Sequence, residues 1–171
     1  MSITAYFCYN ISMTLQDKVK RPGPIDPVFF YPPEYYVFDN FSSFQIDYKG
    51  FLYSTCEHAY QASKYTETAP EITQQIKNAK SAHDALKIAQ AHKDKLPSDW
   101  HLTKIAIMKD ILRHKIDQHL YVLKKLLDSG DREIIEDSWR DSEWGWGEDK
   151  TGKNLLGKLW MELRTEYQQS P

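Results

Sequence analysis

The chain has 171 residues, 41% hydrophobic and 27% charged, which fits one domain with a real core, since domains run to roughly 100–200 residues. Its formal net charge is −2, from 22 basic and 24 acidic residues; this excludes a generally basic nucleic-acid coat and leaves room for a local basic pocket. Two cysteines, Cys8 and Cys56, exclude a disulfide framework and a four-thiolate zinc site, and no apolar stretch approaches the roughly 18 residues of a membrane span.

Residues 1–15 lack a basic end followed by an apolar run, so no signal peptide is expected, and the thiols suit a reducing cytoplasm. Residues 1–27 read as an arm or linker, because Pro22, Pro24 and Pro27 lack donors for a helix or central strand. Residues 28–171 read as the domain. Val28–Tyr31 and Tyr35–Phe38 are aromatic and β-branched runs split by Pro32 and Pro33, which predicts short strands. Phe44 to Tyr48 alternates, Lys49-Gly50 turns, and Phe51 to Tyr53 returns, which predicts a hairpin.

The period then becomes helical. Ser54 with Glu57 three residues on predicts a capping box for a helix over 55–66. Pro70 suits the first turn of a second helix with Ile72, Ile76 and Ala79 on one face. Ser81 with Asp84 opens a third, with Ala82, Ala85, Leu86 and Ala89 inward. Ser98 is expected to cap a long fourth helix whose buried stripe runs Ile105, Met108, Ile111, Leu112, Ile116. A fifth carries Leu120, Leu123, Leu126 and Leu127, with Gly130 placed as its C-terminal cap. Residues 133–136 suit a short strand, 139–153 a Trp- and Gly-rich loop, and Asn154 the cap of a last helix. The expected fold is mainly α: a single helical domain with a small antiparallel β element near the N-terminus.

Aromatic side chains make up 13% of the chain; they build pockets for flat ligands or fill cores. Glu57, Gln61 and Lys64 fall at i, i+4 and i+7, on one helix face. A carboxylate, an amide and an amine so aligned can serve a site that protonates or attacks a glycosidic carbon, or Glu57 can be a capping partner and Lys64 a solvated neighbour. Trp139, Trp144 and Trp146 share nine residues with Gly145, Gly147, Asp141 and Glu143. They offer stacking faces and close backbone approach, or plug the core below. Trp100 at a helix start reads first as a staple between helices, with a base-stacking ring as the alternative. The six His form no metal pattern, since His114 and His119 are five apart rather than four. Neither phosphate loop nor dinucleotide fingerprint is present.

Taken in order, these segments resemble the NADAR family, also called YbiA-like. The family's FSNF-type segment is matched by Phe41-Ser42-Ser43-Phe44, with Ser43 where the family has Asn. Its E-H-x-[YF]-Q-A-x-K segment is matched from Glu57 through Gln61 to Lys64. A D-W-x(3)-K-x(3)-M segment is matched by Asp99, Trp100, Lys104 and Met108, with Lys115 further on. The last segment is matched by Asp141, Trp144-Gly145, Gly147, Asn154, Leu156-Gly157, Met161 and Arg164. The resemblance implies an N-glycosidase that needs neither cofactor nor metal and acts on a phosphorylated ribosyl small molecule, such as the ribosylamino-pyrimidine intermediates of riboflavin synthesis. Two alternatives are a glycosidase removing ADP-ribose from guanine in nucleic acid and a non-catalytic sensor of ADP-ribose-like nucleotides. It implies a catalytic set of Glu57, Trp100 and Asp141, with Lys64 acting covalently. Trp144 would stack on the base, Lys104, Lys115 and Arg164 would meet phosphate, and Phe41, Ser42, Gln61, Gly145 and Asn154 would complete the binding site.

Overall fold

Alternation and turn chemistry agree first in the hairpin. A computed structural model describes residues 26–30 and 33–169, and in it β2 (Ile46–Tyr48) pairs antiparallel with β3 (Phe51–Tyr53), Asp47 opposite Leu52. Lys49 and Gly50 make the turn with φ of 52° and 78°, the left-handed pair that a two-residue hairpin loop requires. A second pair is parallel: β1 (Val28–Phe29) lies beside β4 (Ile134–Ile135), Val28 opposite Ile134. The expected strand's last residue, Tyr31, and the arm over residues 1–25 lie outside the described residues.

The second aromatic run is not a strand. Pro33–Phe38 winds into a 3-10 helix, which buries Tyr35, Val37 and Phe38 together. A strand would send alternate residues to opposite faces; a tight helix keeps three of these four side chains in the core. The rings of Tyr35 and Phe38 stack at 5.7 Å, and Phe38 meets Trp160 at 4.9 Å.

Six α-helices supply the remaining framework. α1 (Cys56–Ser63) lies against α2 (Pro70–Lys77), α3 (Ala82–Ala91) and α4 (Trp100–Gln118), while α5 (Leu120–Asp128) and α6 (Leu155–Gln169) pack on α4 and on each other. Pro70 occupies the first turn of α2, and Ser81 caps α3 by accepting the N–H of Asp84. Trp160 of α6 is fully buried and donates Nε1–H to the carbonyl of Phe38 at 3.0 Å. Burying a large apolar side chain contributes roughly 1.5–3 kcal/mol, and here the indole N–H also finds its partner, as a buried one must.

Several local expectations are corrected. α1 is capped by Thr55, whose hydroxyl accepts the N–H of His58, and not by Ser54. α4 starts at Trp100 without a side-chain cap from Ser98 or Asp99. Ile105 is exposed, because between Trp100 and Met108 no residue of α4 is buried. On α5 the buried face is Val122 and Leu126, while Leu120 and Leu127 are exposed and Leu123 is half-buried; each residue turns a helix by about 100°, so Leu127 points away from Leu126's side. Asn154, at φ 49°, does not cap α6 with its side chain. Its amide donates to the carbonyl of Ile134 and accepts from the N–H of Glu136, pinning α6 to the end of β4.

Candidate functional site

The start of α1 sets the site. With Thr55 as the cap, Glu57 is released from capping and is buried in the wall of a cavity of about 730 Å³, inside the range of small-molecule sites. Gln61, one turn on, donates Nε2–H to Glu57 Oε1 at 2.7 Å. Burial pushes the Glu57 carboxyl up to about 7, with the Gln61 hydrogen bond and the charge of Lys64 pulling the other way. Lys64, at the helix end, lines the same cavity. Its amine makes no ion pair among the described residues and sits 5.0 Å from the centre of the Tyr60 ring and 5.9 Å from that of Trp100. Burial brings its pKa down to about 8, against the pull of Glu57. The α1 face therefore presents a carboxyl and an amine that both titrate near neutrality, the condition for proton transfer and amine attack.

Aromatic rings form the adjoining wall. Trp100 is nearly buried and meets Tyr60 at 5.5 Å, and Trp144 meets Tyr60 edge-on at 5.5 Å. Trp100 is thus both packed between helices and part of the cavity lining. Trp144 comes from the Trp- and Gly-rich loop, which Asp141 organises by accepting the N–H groups of Glu143 and Trp144, each at 2.8 Å. Gly145 permits this closure: a Cβ there would lie 2.8 Å from the carbonyl of Glu136 and 2.9 Å from that of Asp141. Trp139 of the same loop is exposed, and Trp146 donates to Asp137.

The structure brings Glu57, Gln61, Lys64, Trp100, Lys104, Asp141, Trp144 and Phe41 to one cavity. Lys104 is held at its edge by Glu143 at 2.6 Å. Five other sequence-derived residues contribute no lining. Lys115 is fully buried and spends its ammonium on the carbonyl of Asp39 at 3.0 Å and the hydroxyl of Ser42 at 2.8 Å. Arg164 donates to the hydroxyl of Ser129 and the carbonyl of Arg132, so neither cation faces the cavity. Ser42 also donates to the carbonyl of Asp39, which fixes the turn that presents Phe41. Gly145 and Asn154 act through backbone closure and the pin on β4.

Lining residues not singled out from sequence include Asp39, Asn40, Tyr60, Glu136 and Arg140. Tyr60 had a signal, since it lies between Glu57 and Gln61 in the same segment. Glu136 had only its place after the apolar pair Ile134-Ile135. Burial and the nearby charges of Asp141, Asp39 and Glu57 push its carboxyl up to about 8. Among the described residues no group of three His, Cys, Asp or Glu stands placed to hold a metal ion, and no helix is long and apolar enough to cross a membrane.

Comparison with known proteins places these features in context. A family model described as the NADAR domain matches residues 29–168. An N-glycosidase of Nostoc punctiforme is 34% identical over 142 residues, covering 81% of this chain and 91% of that protein. A riboflavin biosynthesis protein of Vibrio vulnificus is 28% identical over 164 residues; the match covers 95% of this chain and only 42% of that longer protein. The solution structure of YbiA from E. coli superimposes with a TM-score of 0.78 at 28% identity, covering 88% of this chain and 90% of that one.

Proposed function

The chain belongs to the NADAR domain family, and we propose that it is an N-glycosidase cleaving the bond between ribose and nitrogen in a phosphorylated ribosylamino-pyrimidine. The observation that carries this reading is the pairing of Glu57 and Lys64 in one cavity, with the carboxyl near 7 and the amine near 8. The relatives named as an N-glycosidase and as a riboflavin biosynthesis protein support the bond and the substrate class.

In this mechanism the pyrimidine lies against Trp100, Tyr60 and Trp144, and Lys104 with Arg140 meets the phosphate at the rim. As the ribose ring opens, the N–H proton of the ribosylamine passes to the ring oxygen and leaves an imine at C1; the neutral Lys64 amine adds to C1 and hands one of its protons to the pyrimidine nitrogen. As the bond from C1 to the pyrimidine nitrogen breaks, its electron pair stays on that nitrogen, which takes the proton of Glu57. Water then adds to the Lys64 iminium, Glu57 recovers the proton, and the amine and the sugar phosphate are released. Asp141, in the same cavity lining, is placed to stabilise the carbon that becomes cationic. A cytoplasmic setting suits this chemistry, and Cys56 is a free, buried thiol.

The test is to incubate the purified chain in parallel with a ribosylamino-pyrimidine phosphate and with DNA carrying ADP-ribosylated guanine, following base release by chromatography. Borohydride is added to part of each reaction. Base release from the pyrimidine and a reduced sugar phosphate on the Lys64 peptide are expected, with both lost in Lys64→Arg, since a guanidinium stays charged. Release from the DNA alone would replace the substrate, and full activity in Lys64→Arg without an adduct would replace Lys64 attack by direct water attack.

A further inference from the structure

Three buried polar atoms of the described residues have no hydrogen-bond partner: Asn40 Oδ1, Gln61 Oε1 and Glu136 Oε2. All three residues line the one cavity that holds Glu57 and Lys64. Asn40 is 7% and Gln61 3% exposed, so neither oxygen is compensated by bulk water, and a buried polar group left unpaired is costly. The amide orientations are fixed by what the nitrogens do. Asn40 gives its N–H to Met108 Sδ and Gln61 gives its own to Glu57, so both oxygens remain as acceptors.

Glu136 is held as firmly. Its N–H donates to Asn154 Oδ1 at 3.0 Å and its carbonyl accepts from the N–H of Trp146 at 3.2 Å. The side chain leaves the end of β4 from a backbone clamped on both sides. It shares the cavity lining with Asp141, Asp39 and Glu57. Two amide acceptors and a carboxyl oxygen without partners call for a ligand face that carries hydroxyl groups, which both donate and accept. An opened ribose offers hydroxyls on C2, C3 and C4.

We infer that Asn40, Gln61 and Glu136 form a sugar-reading wall, in which Glu136 accepts a hydrogen bond from the 2-hydroxyl of ribose and selects ribosyl over 2-deoxyribosyl substrates. This rests on the glycosidase reading above. Acidic side chains are well suited to ribose hydroxyls, and a hydrogen bond to the hydroxyl next to the reacting carbon strengthens as that carbon becomes cationic. Of the three, Glu136 takes the 2-hydroxyl because its side chain, unlike those of Asn40 and Gln61, makes no hydrogen bond to the described residues.

Binding of the sugar phosphate alone tests this without requiring turnover. Titration calorimetry compares ribose 5-phosphate with 2-deoxyribose 5-phosphate on the wild-type chain and on Glu136→Met, with a thermal melt of each. The wild type should prefer ribose 5-phosphate by about 10- to 100-fold, the scale of one buried acceptor left unpaired. Glu136→Met, which keeps the side-chain length and removes both oxygens, should bring the two sugars within a few-fold, mostly by weakening ribose. If Glu136→Met does not fold, Glu136→Asp, which withdraws the oxygen by one methylene, is read on the same ratio. Equal binding of the two sugars by the wild type, no binding of either, or an unchanged ratio in the variant would overturn the assignment. A chain that discriminates as expected and yet releases no base would leave this wall standing and remove the glycosidase reading.

Discussion

Glu57 is a carboxyl placed where water scarcely reaches, and its charge has a cost in folding. Its folded pKa near 7 lies above the ordinary 4.5. Below pH 4.5 it is protonated both folded and unfolded, and nothing is lost. Between pH 4.5 and 7 the unfolded chain ionises first, so stability falls as pH rises, and above pH 7 the whole cost remains. The difference corresponds to about 3 kcal/mol at 1.36 kcal/mol per pKa unit. Glu57→Gln should therefore raise stability at pH 8 by up to that amount and change it little at pH 4.5, as urea melts at the two pH values will show. The same substitution should lower turnover about a hundredfold or more, the scale of a lost acid–base group. A variant that gains no stability at pH 8 would mean that water reaches the carboxyl, and one that keeps full turnover would take Glu57 out of the chemistry.

At the scale of elements, two fixings decide where that carboxyl points. The first is the α1 cap. Thr55→Ala should cost about 1 kcal/mol, and more if the 2.8 Å contact of the hydroxyl with His58 Nδ1 is lost with it. Ser54→Ala should stay within about 0.5 kcal/mol, as an uninvolved surface change does. Chemical denaturation of the pair ranks them, and the opposite order would make Ser54 the cap. The second fixing is Lys115, a lysine in the buried stripe of α4 that ties the turn at Asp39 and Ser42. Lys115→Met fills the same space without a charge to bury, and such replacements are often neutral or stabilising. The melting temperature should hold or rise while kcat/KM falls about tenfold, the equivalent of ~1.4 kcal/mol of lost positioning. A sharp drop in melting temperature with normal activity would show that Lys115 serves stability alone.

The whole molecule brings Glu57 and Lys64 under one set of charges, so their titrations appear together. The reactive form has Glu57 protonated and Lys64 neutral. Its population is proportional to that of the singly protonated pair, which lies between the two pKa values. The rate should trace a bell with an acid limb near pH 7 and an alkaline limb near pH 8. Glu57→Gln should leave a residual rate that only rises as Lys64 deprotonates. A flat profile across pH 6–9 would separate chemistry from both groups. The same assay run with EDTA should keep its rate, because every step assigned here runs through side chains; loss on chelation with recovery on adding Zn²⁺ or Mg²⁺ would call for another mechanism.

The sequence by itself determined the elements whose causes are local. Alternation and Lys49-Gly50 make the hairpin, Pro70 and Ser81 start their helices, and Glu57, Gln61 and Lys64 share a face because a helix repeats every 3.6 residues. The ordered segments from Phe41 to Arg164 also carried the family. Tertiary structure decided what no local period contains. Pro33–Phe38 is a 3-10 helix because Trp160, 122 residues away, takes the Phe38 carbonyl and packs on its ring. Lys115 and Arg164 look from sequence like cations for phosphate. Their hydrogen-bonding capacity goes instead to partners 76 and 32 residues distant. Asn40 and Glu136 enter the cavity wall from a loop and a strand end that only folding brings together. A buried polar group goes where its hydrogen bonds can be satisfied, and those partners are set by the packing of the whole chain.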